Sequence, residues 1–289
     1  MKDLTNSQKS GFTFSAVIVF YLVLTLIGQA ILLTFCERGS VVFLAVGSLF
    51  SEIALFTVSL LHRKNSGETF CNSENCKRFN PLYIVVSVLI AVGMFFGFGK
   101  VNELFAGWLV DIGLNVNQAV VPLNNVSQYI LFSVLLGVIP AISEELFFRG
   151  VFINGLKGMG TLLACLFSGL FFALYHCSAS QLIYQFIYGL LLALLTVKSG
   201  SAIPSILAHF INNFSVITFN YFKVSIPLDN PLIYVLGIVM VLISLAVLLL
   251  FPKIKKAKAE KGEVLGLFFP FGIIGVLACV GMIVGGLFL

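Results

Sequence analysis

Nine apolar runs, each close to the length needed to cross a bilayer, recur along this chain of 289 residues and leave little between them. A helix needs about 20 mostly apolar residues to span the hydrocarbon core, and helices or closed barrels alone satisfy their backbone groups there. The runs fall at 12–35, 41–61, 82–104, 127–153, 160–178, 180–198, 202–222, 231–251 and 264–288. Only Ser199, Gly200 and Ser201 join 180–198 to 202–222, so one of that pair is expected to be tilted or partial. The expected fold class is all-α: a polytopic transmembrane helical bundle of eight or nine spans. With 59% apolar and 10% charged residues and a mean hydropathy of +1.07, the composition excludes a soluble globule.

The first run ends at Phe35, Cys36, Glu37 and Arg38 with no small-x-small cleavage pattern, so it reads as a retained helix, not a signal peptide. Basic residues set the orientation. With the N-terminus in the cytoplasm, 13 of the 17 Lys and Arg residues fall inside, and only Arg38, Lys100 and Lys223 fall outside. The expectation is an integral multi-pass protein of the cell membrane, N-terminus cytoplasmic. The Lys-rich stretch 253–261 reads as a topology signal touching anionic lipid, so membrane lipids are expected partners and nucleic acid is not.

Three parts can be distinguished. Residues 1–126 hold N-terminal transmembrane helices, a cytosolic loop at 62–80 and a polar segment at 105–126; 127–222 form a core; 223–289 add C-terminal helices. The segment 105–126, with Trp108, Asp111, Asn115, Asn117 and Pro122, reads as too polar to span, either an external loop or an interfacial helix or re-entrant lid. Six cysteines suggest no disulfide framework. Cys36, Cys165, Cys177 and Cys279 lie in or beside spans, where free Cys acts as a small apolar residue. Cys71 and Cys76 share their loop with His62, short of the four ligands of a structural zinc site, and free thiols are expected in a reducing cytosol. The pairs Gly93/Gly97 and Gly281/Gly285 allow close helix approach and carry no functional weight.

Against this background stand six ionisable side chains within the spans: Glu52, Glu144, Glu145, Arg149, His176 and His209. Each costs roughly 2.5–3.5 kcal/mol at the bilayer centre on insertion scales, which makes such a group a functional candidate by default. Glu145 and Arg149 are four apart on one helix face, in the order that favours an ion pair. Glu144 is rotated by about 100° and stays free. A carboxylate in a low-dielectric cleft is a stronger base than one in water, as general-base chemistry requires. Spans 127–153 and 160–178 form an antiparallel hairpin turning near Gly158. Counting from that turn at 1.5 Å per residue puts Glu144 and His176 within about 6 Å in depth. His209 and Asn213 are four apart and share a face about nine residues below the turn at Gly200. Glu52, mid-span in 41–61, could line the same cavity or pair with a polar group nearby, and nothing in the sequence places it in the site.

These residues resemble three motifs of the CAAX-protease and bacteriocin-processing family of intramembrane endopeptidases, which includes the type II CAAX prenyl endopeptidase. The motifs are Glu-Glu-x-x-x-Arg (Glu144, Glu145, Arg149), Phe-x-x-x-His (Phe172, His176) and His-x-x-x-Asn (His209, Asn213), in order, within 127–222. The resemblance implies that Glu144, helped by His176, activates water to hydrolyse a peptide bond, and that His209 and Asn213 stabilise the oxyanion. Glu145 and Arg149 would brace the cleft. The Arg common shortly before the third motif is absent, and Ser199–Ser201 occupy that region. A metallo mechanism is the other option, with His176, His209 and Glu144 holding zinc as a His2Glu set. No His-Glu-x-x-His motif supports it. The expected partner is a peptide or membrane-protein substrate. Two other classes fit intramembrane Glu and His: a non-catalytic bacteriocin-immunity or peptide-binding protein, and an ion-coupled transporter. Transporters commonly repeat their halves, whereas the charges here cluster in one.

Overall fold

A computed structural model of the chain describes residues 4–66, 78–116, 121–224, 230–250 and 261–288. Among the described residues there are nine helices and no strand. They are α1 Asn6–Leu32, α2 Val41–Asn65, α3 Leu82–Asp111, α4 Val126–Leu156, α5 Thr161–Tyr175, α6 Ala179–Ser199, α7 Ile203–Tyr221, α8 Pro231–Leu250 and α9 Lys261–Phe288. Seven are long and apolar enough to cross a bilayer, and the protein is an integral multi-pass helical bundle. The exceptions are α5, with 15 residues, and α7, whose 19 residues include His209, Asn212, Asn213 and Asn220. At 1.5 Å per residue α5 is about 22 Å long, short of the roughly 30 Å hydrocarbon core. These two helices carry the two histidines of the motifs.

Local chemistry sets the helix ends. Thr5 and Gln8 form a reciprocal capping box on α1, and the Asn125 side chain accepts the Gln128 N–H at the start of α4. Gly200, at φ 71°, takes the left-handed cap that stops α6, and Pro204 sits in the first turn of α7. The helix α3 continues past residue 104 through Trp108 to Asp111, so the polar segment expected from 105 begins only after that. Asn117, Cys71, Cys76, Lys2, Lys77, Lys253, Lys255, Lys256 and Lys258 lie outside the described residues.

Small residues bring the helices together. Along the α1–α9 seam the Ser15 hydroxyl donates to the Phe271 carbonyl at 2.7 Å and accepts the Gly275 N–H at 3.0 Å. A Cβ on Gly11 would meet the Phe268 carbonyl. Gly93 and Gly97 of α3 lie against the α8 backbone at Gly237, while a Cβ on Gly281 or Gly285 would meet no other helix within 4 Å among the described residues. Only the first of the two glycine pairs is therefore a packing contact. The α5–α6 hairpin closes at Gly169 and Gly189. A Cβ on Gly169 would lie 2.8 Å from both the Phe186 carbonyl oxygen and the Leu190 nitrogen, main-chain atoms that cannot rotate away. Gly169→Ala is expected to cost about 1–3 kcal/mol, the usual penalty of overpacking. A lower thermal midpoint in detergent would show it, and an unchanged midpoint would mean that the hairpin is looser than described.

Candidate active site

The site is built on α4, at a point where the helix is irregular. Pro140 has no N–H, so it cannot donate to the carbonyl four residues back, that of Leu136. The preceding stretch Ser133–Val138 is wound as a π-turn, and a second π-turn covers Phe148–Phe152. Such wide turns occur mostly as single bulges, often at functional positions. Between them, regular helix presents Glu144 and Glu145 to the interior, and Arg149 follows within the second π-turn. All three are buried.

Glu145 and Arg149 pair as their spacing predicts, with Oε1 3.0 Å from the guanidinium and neither side chain exposed. Arg149 also donates to the Gly189 carbonyl at 3.0 Å and lies 4.6 Å from the centre of the Phe172 ring. The guanidinium thus joins α4 to both arms of the α5–α6 hairpin, and the lack of a side chain at Gly189 leaves its carbonyl within reach. Phe172, of the second motif, is completely buried; its ring also meets His209 edge-on at 5.8 Å.

His176 caps the end of α5, where Cys177 takes a left-handed φ of 49° and the chain turns back toward α6. Its Nδ1 lies 2.8 Å from the Phe172 carbonyl, a bond that requires the proton on Nδ1. Its Nε2 is thereby left as an acceptor, 4.0 Å from Glu144 Oε2. His209, on α7, faces the same carboxylate from the other side. Its Nδ1 is 3.1 Å from Glu145 Oε1 and its Nε2 is 3.9 Å from Glu144 Oε2. Among the described residues Glu144 Oε2 is buried and has no hydrogen-bond partner. Glu145 is engaged through Oε1, by Arg149 and His209, and its neighbour Glu144 points an unpartnered oxygen at two imidazoles. The His176 side chain keeps 18% of its surface, against 7% for Glu144 and 3% for His209, so the site is most open beside His176.

Asn213 sits beside this group with a structural contact of its own: one amide hydrogen goes to the Leu136 carbonyl at 3.1 Å. Pro140 has no N–H to offer that carbonyl, and Asn213 ties α7 to α4 there. Its amide has a second hydrogen to offer. Sequence reasoning missed Asn212 and Tyr184 and left Glu52 unplaced. Asn212, buried, accepts the Tyr184 hydroxyl at 2.6 Å, and Glu52 of α2, also buried, accepts the hydroxyl of Ser143, the residue before Glu144. The ionisable character of Glu52 within a span was the available signal.

Residues 126–215 match the family model described as type II CAAX prenyl endopeptidase Rce1-like. The match covers all three motifs and all but the last seven residues of the stretch 127–222. No curated protein and no solved structure matches the chain. Family match and apolar helices together make the chain similar to membrane-embedded proteases.

Proposed function

We propose that the chain is an intramembrane endopeptidase in which Glu144 and His176 activate one water molecule and His209 and Asn213 stabilise the oxyanion. The observation that carries this reading is the convergence of two imidazole Nε2 atoms on Glu144 Oε2, at 4.0 and 3.9 Å. Polar atoms at such separations are commonly bridged by water. A water hydrogen-bonded at about 2.8 Å to each of two atoms holds them about 4 Å apart when the angle between its bonds is near 90°. With Nδ1–H committed to the Phe172 carbonyl, His176 offers Nε2 as an acceptor, and Glu144 offers a second. The water then donates both its hydrogens and turns a lone pair toward the scissile carbonyl. Glu144 takes a proton as the oxygen attacks and returns it to the leaving amine, the usual two-way use of one general base.

His209 can donate from Nε2 to the oxyanion while Nδ1–H serves Glu145 only as the imidazolium. The Arg149 guanidinium balances the Glu145 carboxylate. A charge-neutral set is what a low-dielectric interior favours. The free amide hydrogen of Asn213 is the second donor, in the manner of an oxyanion hole.

Zinc fits this set less well. The engaged Nδ1 atoms are what metal-bound histidines show. However, a tetrahedral zinc with bonds of about 2.0–2.1 Å keeps its ligand atoms about 3.3 Å apart, closer than either imidazole lies to Glu144. No step is therefore routed through a metal. The substrate is a peptide or a membrane-protein segment, reached from within a cell membrane in which the N-terminus is cytoplasmic.

The test is cleavage of a quenched peptide library by the purified chain in detergent, with and without a chelator. Cleavage that survives the chelator is expected. Loss of cleavage that zinc restores would overturn the water mechanism, and a folded chain that cleaves nothing would overturn the peptidase reading in favour of peptide binding.

A further inference from the structure

Glu52 lies outside the stretch matched by the family model, on α2, yet its carboxylate is embedded beside the site. Its two oxygens are separately held. Oε1 is 3.0 Å from the Ser51 hydroxyl, and Oε2 is hydrogen-bonded to the Ser143 hydroxyl. Ser143 Oγ is also 2.8 Å from the Ile139 carbonyl, so its one hydroxyl hydrogen is shared between Glu52 and the turn of α4 that carries Glu144. Around Glu52 stand Tyr21 of α1, Tyr175 of α5 and Glu144 itself, all within electrostatic reach. A buried acid at the meeting of α1, α2, α4 and α5 is costly in a bilayer and unnecessary for packing, since an apolar residue of similar volume would fill the space.

We propose that Glu52 is a positioning residue for Glu144. Through Ser143 it fixes the rotation of the α4 turn between the two π-turns, and with it the aim of the Glu144 carboxylate at His176 and His209. The π-turns on either side lack the regular hydrogen-bond spacing that would otherwise set this rotation, and α2 supplies the reference instead. A misplacement of about 1 Å at a reacting group can cost on the order of 100-fold in rate. The contact is therefore expected to be read in turnover and not in substrate binding.

This inference rests on the peptidase reading, and its test is a double-mutant cycle on the turnover of the full chain. Glu52→Ala and Ser143→Ala are each expected to lower kcat about tenfold with KM unchanged. The double variant should fall no further than either single one, because the two residues act as one unit. Glu52→Gln, whose amide can still bond to both Ser143 and Ser51, should recover most of what Glu52→Ala loses, a rescue that a charge effect would not give. If Glu52→Ala does not fold, Ser143→Ala alone and combined with Glu52→Gln carry the comparison. Wild-type kcat in Glu52→Ala, or losses that multiply in the double variant, would overturn the assignment and leave the peptidase reading intact. A wild type that cleaves no peptide removes both.

Discussion

Glu144→Gln is expected to lower the rate of peptide cleavage about 10²–10⁴-fold, the range lost when a positioned general base is removed. The substitution keeps the size of the side chain and removes its charge and basicity. It should also leave the fold intact, because Glu144 Oε2 has no partner among the described residues for the change to strand. Losing most of the rate with an unchanged thermal midpoint would separate chemistry from architecture. The comparison is initial rates for the two purified chains on one quenched peptide, scaled to folded protein. Equal rates would mean that Glu144 is not the base, and the pairing of its oxygen with two imidazoles would then need another explanation.

Arg149→Met should have the largest effect on stability. The guanidinium is buried against a carboxylate that is itself without exposed surface, and it holds the Gly189 carbonyl and the Phe172 ring as well. Removing one partner of such a pair leaves an uncompensated buried charge, at a cost of about 3–5 kcal/mol. His209 remains beside Glu145 at 3.1 Å and offsets part of that cost. Arg149→Lys should not restore the loss, since one ammonium cannot reproduce the planar fork that serves a carboxylate and a carbonyl together. Adding Glu145→Gln to Arg149→Met should recover stability, because the stranded charge goes with it. Thermal unfolding in detergent reads all three. A loss below about 1 kcal/mol for Arg149→Met would put the pair in the class of solvent-screened surface bridges and contradict its burial.

The sequence exposed the parts of this molecule that depend on local periodicity. Runs of apolar residues locate the nine helices, and the four-residue spacing of Glu145 and Arg149 gives their ion pair. The approach of His176 to Glu144 was also legible, because two helices leaving a short turn must match depth for depth. Other features depend on which face meets which neighbour, and no local pattern encodes that. Glu52 reaches Ser143 across 91 positions of chain, and only the packing of α2 on α4 makes them neighbours. The Leu136 carbonyl is a nearer miss. Pro140 announces an acceptor four residues back that it cannot serve, but the choice of Asn213 to reach it belongs to the packing of α7. The end of α3 was misjudged for a different reason: Asp111 and its polar neighbours lower the hydropathy without breaking the helix.

The α1–α9 seam also bears on how the molecule is made. The helix that covers the Ser15 and Gly11 face of α1 is separated from it by the whole of the bundle, so it is translated last of the nine. At about 5–20 residues per second, α1 waits on the order of tens of seconds in the bilayer before its partner leaves the ribosome. During that interval the Ser15 hydroxyl and the glycine notch lack the α9 contacts they make in the finished fold. The α1–α9 seam cannot close until α9 has been made, and a chain shortened before Phe271 leaves that notch uncovered.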